Sequence, residues 1–379
     1  MSDSHPRIAL VRRSYRPDGG AERIINRTIA GLRERGNIDV SLICEEWRGG
    51  EDLHPITVSR RGLGRTAKHR NFVRQVSDIL AKERFDLVQS NERIPGCTLY
   101  RAGDGVHAQW LQRRASVSSA LSRRWLGISR FHRYMVETER AMFTHPDLQC
   151  VICNSRMVES DILNHYPVDS AKLRRIYNGI DLQLFCPLAH AHERSAQRRQ
   201  LGLPEAPLLL FVGSGFERKG LAQLISAMSM RKSDWQLAVL GRDKHEAHYR
   251  KQVARLGQEE KVHFIGVAEN VVPYYQCADL LVHPCLYDPF SNVVLEAMAC
   301  GLGVITNQYN GANEVISSQI NGLSYDGDDV NTLCQALEKA HDCFDDYRET
   351  ARATAEGYSI TKMVDEIVSL YCELLSIET

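Results

Sequence analysis

The 379-residue sequence has no apolar run approaching the ~18 residues that a bilayer span needs, so no transmembrane helix is expected. Its start, Met1-Ser-Asp-Ser-His-Pro-Arg7, lacks a basic stretch followed by an apolar one, and a secretory leader is not expected. Eleven cysteines, an odd number, follow no framework spacing, which favours free thiols in a reducing cytoplasm over a disulfide scaffold. There is no internal repeat of about 20–50 residues, which excludes solenoids and propellers. The phosphate loop G-x-x-x-x-G-K-[ST], the dinucleotide fingerprint G-x-G-x-x-G and the hydrolase elbow G-x-S-x-G are all missing. The fourteen histidines include no H-x-x-x-H pair, and no metal site is expected. Cys150-Val-Ile-Cys153 has C-x-x-C spacing, but an apolar strand puts those thiols on opposite faces. Asp326-Gly-Asp-Asp329 reads as a turn capping the helix after Val330.

What is present is an ordinary soluble composition, 43% apolar and 25% charged, with a lopsided charge distribution. Residues 1–180 hold 30 Lys+Arg against 20 Asp+Glu, and residues 181–379 hold 17 against 27. A basic first half suits an anionic partner: nucleic acid, a phosphorylated sugar acceptor or an anionic lipid surface. Plain solubility charge is the competing reading. The arginines, Arg113 and Arg114 among them, and the aromatics of Gln109–Phe143 suggest a helical excursion whose basic surface touches an acceptor or a membrane, and a solvated helical pair explains them equally well.

The order of elements is more informative. Arg7–Val11 reads as a buried strand, Pro17–Gly20 as a glycine loop, Ala21 onward as a helix and Val40–Cys44 as the next strand. This βαβ pattern continues through a helix around Asn71–Lys82 and strands at Phe85–Gln89 and Gln149–Cys153. It restarts at Leu208–Val212 and runs through strands at Gln236–Leu240, Val262–Ile265, Asp279–Val282 and Gly303–Thr306. The polar stretch 187–206, with Pro187 and Pro204 at its edges, is expected to be a domain linker. The fold class is α/β: two Rossmann-like, doubly wound parallel-sheet domains facing a cleft, residues 1–186 with a returning helix 358–379, and residues 187–357.

Four segments carry candidate chemistry. Asp288-Pro-Phe-Ser-Asn-Val-Val-Leu-Glu296 puts two carboxylates around a helix start near Ser291 or Asn292, where orphan N–H groups and the helix dipole favour a phosphate. A merely capped helix is the plainer reading. Phe211-Val-Gly-Ser-Gly-Phe-Glu-Arg-Lys-Gly220 joins a strand to a glycine turn and a basic pair opening a helix, Arg218 and Lys219, suited to a diphosphate, with an ordinary strand–turn–helix as the plainer reading. Asp18-Gly-Gly-Ala-Glu22 offers a second glycine approach through Gly19 and Gly20. Ala102-Gly-Asp-Gly-Val-His107 offers Asp104 and His107 as partners for a sugar hydroxyl or an acceptor.

Taken together, these segments resemble the family-4 glycosyltransferases. Asp288 to Glu296 is similar to that family's E-x7-E region, Val212–Gly220 to its diphosphate loop, Gly19-Gly-Ala-Glu22 to its first glycine loop, and Tyr177-Asn-Gly-Ile-Asp181 with Phe185 to its hinge entry. Ile94-Pro-Gly96, Tyr100–Asp104 and Gly213–Gly220 are similar to lipopolysaccharide-core α-glucosyltransferases.

The resemblance implies a GT-B fold and retaining, metal-independent hexosyl transfer from a nucleotide sugar, with UDP-glucose or a related UDP-sugar as the expected donor. No cofactor is expected beyond that co-substrate. It implies Arg218 and Lys219 on the diphosphate with Gly213, Glu296 on the ribose, and Asp288 with Pro289, Phe290, Ser291, Asn292 and Val293 on the donor sugar and phosphate. Gly20 would approach the phosphate, and Asp104 and His107 would join Lys219 and Asp288 in the catalytic set. The expected acceptor is a phosphorylated glycan or glycolipid such as lipopolysaccharide core, met in the cytoplasm at the inner face of an anionic membrane. Nucleic acid is not the expected partner. A nucleotide-sugar epimerase of the same architecture, or a non-catalytic binder, stands as the alternative. Three positions depart from the family: Asp288 where Glu is usual, Ser291 where Gly is usual, and Gly303 where Pro is frequent.

Overall fold

In the computed structural model, residues 5–15, 20–34, 38–47, 54–119, 124, 126–190, 192–231 and 233–377 are described. The chain divides into two compact units, Met1–Tyr177 with Thr361–Thr379, and Asn178–Ile360.

Unit 1 is built on a seven-stranded sheet: β1 (Arg7–Val11), β2 (Asp39–Cys44), β3 (His54–Thr57), β4 (Leu87–Ser90), β5 (Leu99–Arg101), β6 (Cys150–Cys153) and β7 (Leu173–Arg175). All pairs are parallel and the order is β3-β2-β1-β4-β5-β6-β7. Strands buried on both faces need continuous apolar runs, and Ile8–Val11 and Val151–Cys153 supply them. Helices α1 (Gly20–Arg33), α2 (Gly64–Lys82), α3 (His107–Val117) and α4 (Arg130–Phe143) belong to this unit. So does most of the last helix, Ile360–Leu375. That helix is tied down by Tyr371, whose hydroxyl donates to Gln89 Oε1 at 2.6 Å, and by Val368, which lies against Gly31.

Unit 2 repeats the topology with β8 (Leu208–Val212), β9 (Gln236–Leu240), β10 (Val262–Gly266), β11 (Leu280–His283), β12 (Gly303–Asn307) and β13 (Gly322–Tyr325), in the parallel order β10-β9-β8-β11-β12-β13. Each sheet reverses direction of winding once, between β1 and β4 and between β8 and β11. Ligands of open α/β sheets sit beyond the carboxyl ends of the strands at such a reversal.

The stretch 187–206 is not a linker. It contains α5 (Glu193–Leu201), whose Arg198 is buried and donates to Asp279 Oδ2 at 2.7 Å and to the Cys277 carbonyl at 2.8 Å. Arg194 and Arg348 reach the same Asp279 carboxylate. The charges that made the segment look solvated serve to fasten it to the foot of β11. The acidic turn behaves as expected, since Asp329 accepts from the Asn331 N–H at 2.9 Å and caps the helix Val330–His341. No helix among the described residues is long and apolar enough to cross a membrane.

Candidate functional site

The loops after β8 and β11, the two strands flanking the reversal in unit 2, meet around one carboxylate. Beyond β8 the chain turns through Gly213 (φ 141°) and Gly215 (φ 77°), makes one helical turn over Phe216–Lys219 and leaves it at Gly220 (φ 79°). These are left-handed conformations that side chains disfavour. At Gly220 a Cβ would also overlap the Pro284 carbonyl, so that residue is fixed by both conformation and space. The Arg218 carbonyl accepts from the Leu286 N–H at 2.8 Å, which joins the two loops. Arg218 and Lys219 thus close a helical turn rather than open a long helix.

Lys219 is only 8% exposed, and its Nζ donates to Asp288 Oδ2 at 2.6 Å. Arg218 Nη1 lies 3.3 Å from the same oxygen, and His283 Nε2 lies 3.5 Å from it. Burial alone would push the Asp288 carboxyl up, but Lys219, His283 and Arg218 outweigh it and hold the carboxyl well below the usual range. His283, fully buried at the end of β11, is pushed down to about 4 by burial and then by the Lys219 cation, against the pull of Asp288. It is therefore neutral at neutral pH. Its Nε2 also lies 3.0 Å from Ser291 Oγ, and Lys219 Nζ lies 3.4 Å from that hydroxyl.

The next helix, α6 (Asn292–Ala299), starts unusually. Ser291 is its N-cap, yet the side chain makes no capping bond, because the hydroxyl turns toward His283 and Lys219. A serine here would ordinarily satisfy an N–H of the first turn. Neither acid caps α6. Asp288 pairs with Lys219, while Glu296 Oε2 accepts from the Tyr275 hydroxyl at 2.6 Å. The loop bearing Pro289 and Phe290 is buried and pinned, with Gly311 N–H donating to the Asp288 carbonyl at 2.8 Å and Ser291 N–H to Asn310 Oδ1 at 3.2 Å. Asn292 is exposed, takes a hydrogen bond from Asn178 Nδ2 at 2.8 Å, and is followed by half-buried Val293.

In unit 1, Asp104 is exposed on the loop after β5, and His107 is the first residue of α3 rather than part of a free turn. His107 Nε2 lies 3.2 Å from His132 Nδ1 on α4, and its ring stacks on Trp110 at 5.5 Å. Burial, then the Arg93 charge, lowers it to about 4. Glu92 is pushed the other way, by burial and then by the Asp104 charge. Gly20 begins α1, and Gly19 lies outside the described residues. Three arginines lie over rings in the helical excursion: Arg65 on Phe131, Arg70 on Tyr134 and Arg114 on Trp110. Arg113, expected on the basic surface, is buried instead.

The structure therefore gathers Gly213, Arg218, Lys219, Asp288 and Ser291 into one cluster, with Glu296 one turn further along α6 on Tyr275. Sequence reading missed His283, Tyr275, Asn178 and Asn310. His283 carried a signal, since a histidine ending an apolar strand is placed at the carboxyl edge where ligands bind.

A family model described as Glycosyltransferase Family 4 matches residues 18–184, and one described as Glycosyl transferases group 1 matches residues 193–356. The chain belongs to the family-4 glycosyltransferases. The transferase is 26% identical over 310 residues to the lipopolysaccharide glucosyltransferase WaaG of Escherichia coli (strain K12), covering 79% of each chain. It is 30% identical over 178 residues to the uncharacterized glycosyltransferase MJ1607 of Methanocaldococcus jannaschii, and that match spans about half of each protein, 46%. Among solved structures its fold is that of a WaaG crystal structure, with TM-score 0.80 and 24% identity over 96% of this chain and 99% of that one. Anabaena Alr3699/HepE, solved with UDP-glucose, has TM-score 0.71 and 19% identity over 97% and 100%.

Proposed function

We propose that this glycosyltransferase moves a hexose from a UDP-sugar, UDP-glucose in the first instance, to a phosphorylated glycan or glycolipid of the lipopolysaccharide-core type, with retention at the anomeric carbon and without a metal. The observation that carries the reading is the cluster at the reversal of the second sheet: a desolvated Lys219, a neighbouring Arg218, and a helix start whose N-cap serine is turned away. Two cations and an open helix terminus suit a diphosphate leaving group, whose developing charge is what the site must stabilise. In this reading Lys219, Arg218 and Gly213 hold the diphosphate, and Glu296 the ribose. Asp288 orients Lys219 and meets the donor sugar, with Pro289 to Val293 shaping that wall. The leaving phosphate takes the acceptor proton as the new glycosidic bond forms on the face it vacates.

Asp104 and His107 serve the reacting sugar or its acceptor, and Gly19 and Gly20 let backbone approach the phosphate. The donor is supported by the shared fold with a protein solved with UDP-glucose, and the acceptor by similarity to WaaG. The basic first half fits a phosphorylated acceptor at the cytoplasmic leaflet, reached through Arg60–Arg74 and the helices bearing Arg114 and Arg133. The decisive experiment incubates the protein with UDP-, GDP- and ADP-sugars, with and without acceptor, and reads the product's anomeric configuration by NMR. Retained configuration in a transfer product is expected. Epimerised donor without acceptor, or no turnover of any nucleotide sugar, would overturn the reading.

A further inference from the structure

Helix α3 lacks a cap of its own. Its N-cap is Val106, which has no side chain able to take the orphan N–H groups of the first turn. The cap comes instead from another helix. Glu139, in the middle of α4 and fully buried, accepts from the His107 N–H at 2.9 and 3.1 Å through its two oxygens, and from the Ala108 N–H at 3.3 Å. The same carboxylate accepts from Arg93 Nε at 2.8 Å and from the Tyr166 hydroxyl at 2.6 Å. Arg93 Nη2 in turn donates to the Gly105 carbonyl at 3.0 Å. One ion pair therefore grips the segment Asp104–His107 by a carbonyl before the helix and by two N–H groups at its start.

Such a device is hard to explain by stability alone. A desolvated ion pair contributes little net stability compared with apolar packing of the same volume. A serine or aspartate at position 106 would cap α3 locally. What the remote cap adds is a fixed position for the first residue of the helix, which is His107, and for the glycine-flanked Asp104 before it.

We propose that Arg93 and Glu139 are positioning residues for transfer that act through His107: they hold the start of α3 so that His107 keeps its reactive geometry, with Tyr166 fixing the Glu139 carboxylate. The inference rests on His107 serving the reacting sugar, and it is tested so that the two ideas can fail separately.

The test is a double-mutant cycle on the full-length chain with UDP-glucose as donor, reading kcat and donor KM. Glu139→Gln keeps the side-chain volume but turns an amide N–H₂ toward groups that are themselves donors. Tyr166→Phe, the second variant, removes one bond to the carboxylate and leaves the loop contacts untouched, so it guards against a Glu139→Gln protein that fails to fold. In the presence of His107, Glu139→Gln is expected to lower kcat about tenfold or more with donor KM within about twofold, and Tyr166→Phe to lower kcat a few-fold. In a His107→Ala background both are expected to have almost no further effect. If both variants keep wild-type kcat, or cut it by the same factor in both backgrounds, the positioning role is overturned while His107 stands. If His107→Ala itself turns over normally, the role assigned to His107 falls, and the positioning role with it.

Discussion

In unit 2 the central charges of the candidate site are buried and paired: Lys219 at 2.6 Å from Asp288, with His283 neutral beside them. In unit 1 the candidate acid, Asp104, is exposed, and the buried ion pair, Arg93 with Glu139, lies behind it and holds backbone. Both sheets share one topology, so topology alone does not dictate where the desolvated charge goes. A leaving diphosphate needs cations already in place and partly dry, because electrostatic stabilisation is strongest where water is excluded. An acceptor that must enter and leave needs a defined but wetter face. In the proposed function, the difference teaches that the ion pair of unit 2 is itself the binding element, whereas that of unit 1 supports one.

The largest effect should come from breaking the unit 2 pair. Lys219→Ala is expected to lower kcat/KM by about 10²–10³-fold. It should also destabilise the protein by about 3–5 kcal/mol, because Asp288 loses its closest counter-charge in a buried site. Steady-state assays and denaturant titrations read the two together, and near-normal turnover in a folded variant would remove Lys219 from the diphosphate. The neutral His283 offers a second route. Its folded pKa of about 4 lies below the ordinary 6.5, so between those values the unfolded chain binds the proton and the folded one does not. Stability must then fall as pH drops from about 6.5 to 4, by roughly 3 kcal/mol from this group over the whole window. Asp288, with its carboxyl held low, stays ionised in the folded chain throughout that window and adds a slope of the same sign only at its acid end, where the unfolded carboxyl begins to take up a proton. His69 and His107, also lowered to about 4, add slopes of the same sign from unit 1. Denaturant midpoints at pH 7 and pH 5 should therefore converge partly in His283→Gln, and an unchanged pH slope there would mean that the imidazole is not held neutral.

A smaller effect is expected one turn along α6. Glu296 is engaged by Tyr275 and belongs, in the proposed role, to uniform donor binding rather than to the transition state. Glu296→Gln should raise donor KM about tenfold, the worth of one charge-assisted hydrogen bond, with kcat nearly unchanged. A drop in kcat at constant KM would move Glu296 from the ribose to the reacting centre.

Much of this arrangement was legible from residue order. Apolar runs of strand length separated by helical periodicity gave the two parallel sheets, and the glycines around Lys219 with the acids around α6 marked the two loops that meet at Asp288. Four strands of the two large sheets were missed, β3, β5, β7 and β13, because they are short or polar: Leu173-Arg-Arg175 reads as surface until its pairing with β6 is seen. The linker was misread because a buried arginine and a solvated one look alike in sequence, and Asp279, 81 residues from Arg198, decides which it is. Glu139 stayed hidden for the same reason. A glutamate in a charged helix reads as solvated, and nothing local says that it caps a helix beginning 32 residues earlier.

The smallest effects should sharpen the contrast at the surface. Residues 1–180 carry the excess of basic charge, and Arg65 and Arg114 lie over rings at the excursion, where the ring faces orient the guanidinium groups. A basic side chain near an anionic surface is worth about 1 kcal/mol, so Arg65→Ala or Arg114→Ala should each weaken binding to phosphatidylserine vesicles about fivefold at low salt. Salt should erase the difference as it screens the surface potential. Two controls come from the structure. Arg113 neighbours Arg114 in sequence but is buried, and Arg231 in unit 2 is exposed but paired with Glu338 at 3.1 Å. Arg231→Ala should leave vesicle binding unchanged, and Arg113→Lys, which keeps the charge, should do the same. If Arg231→Ala weakened binding as much as Arg65→Ala, the attraction would belong to the whole chain, and the division of labour between an anion-facing unit 1 and a donor-holding unit 2 would lose its electrostatic support.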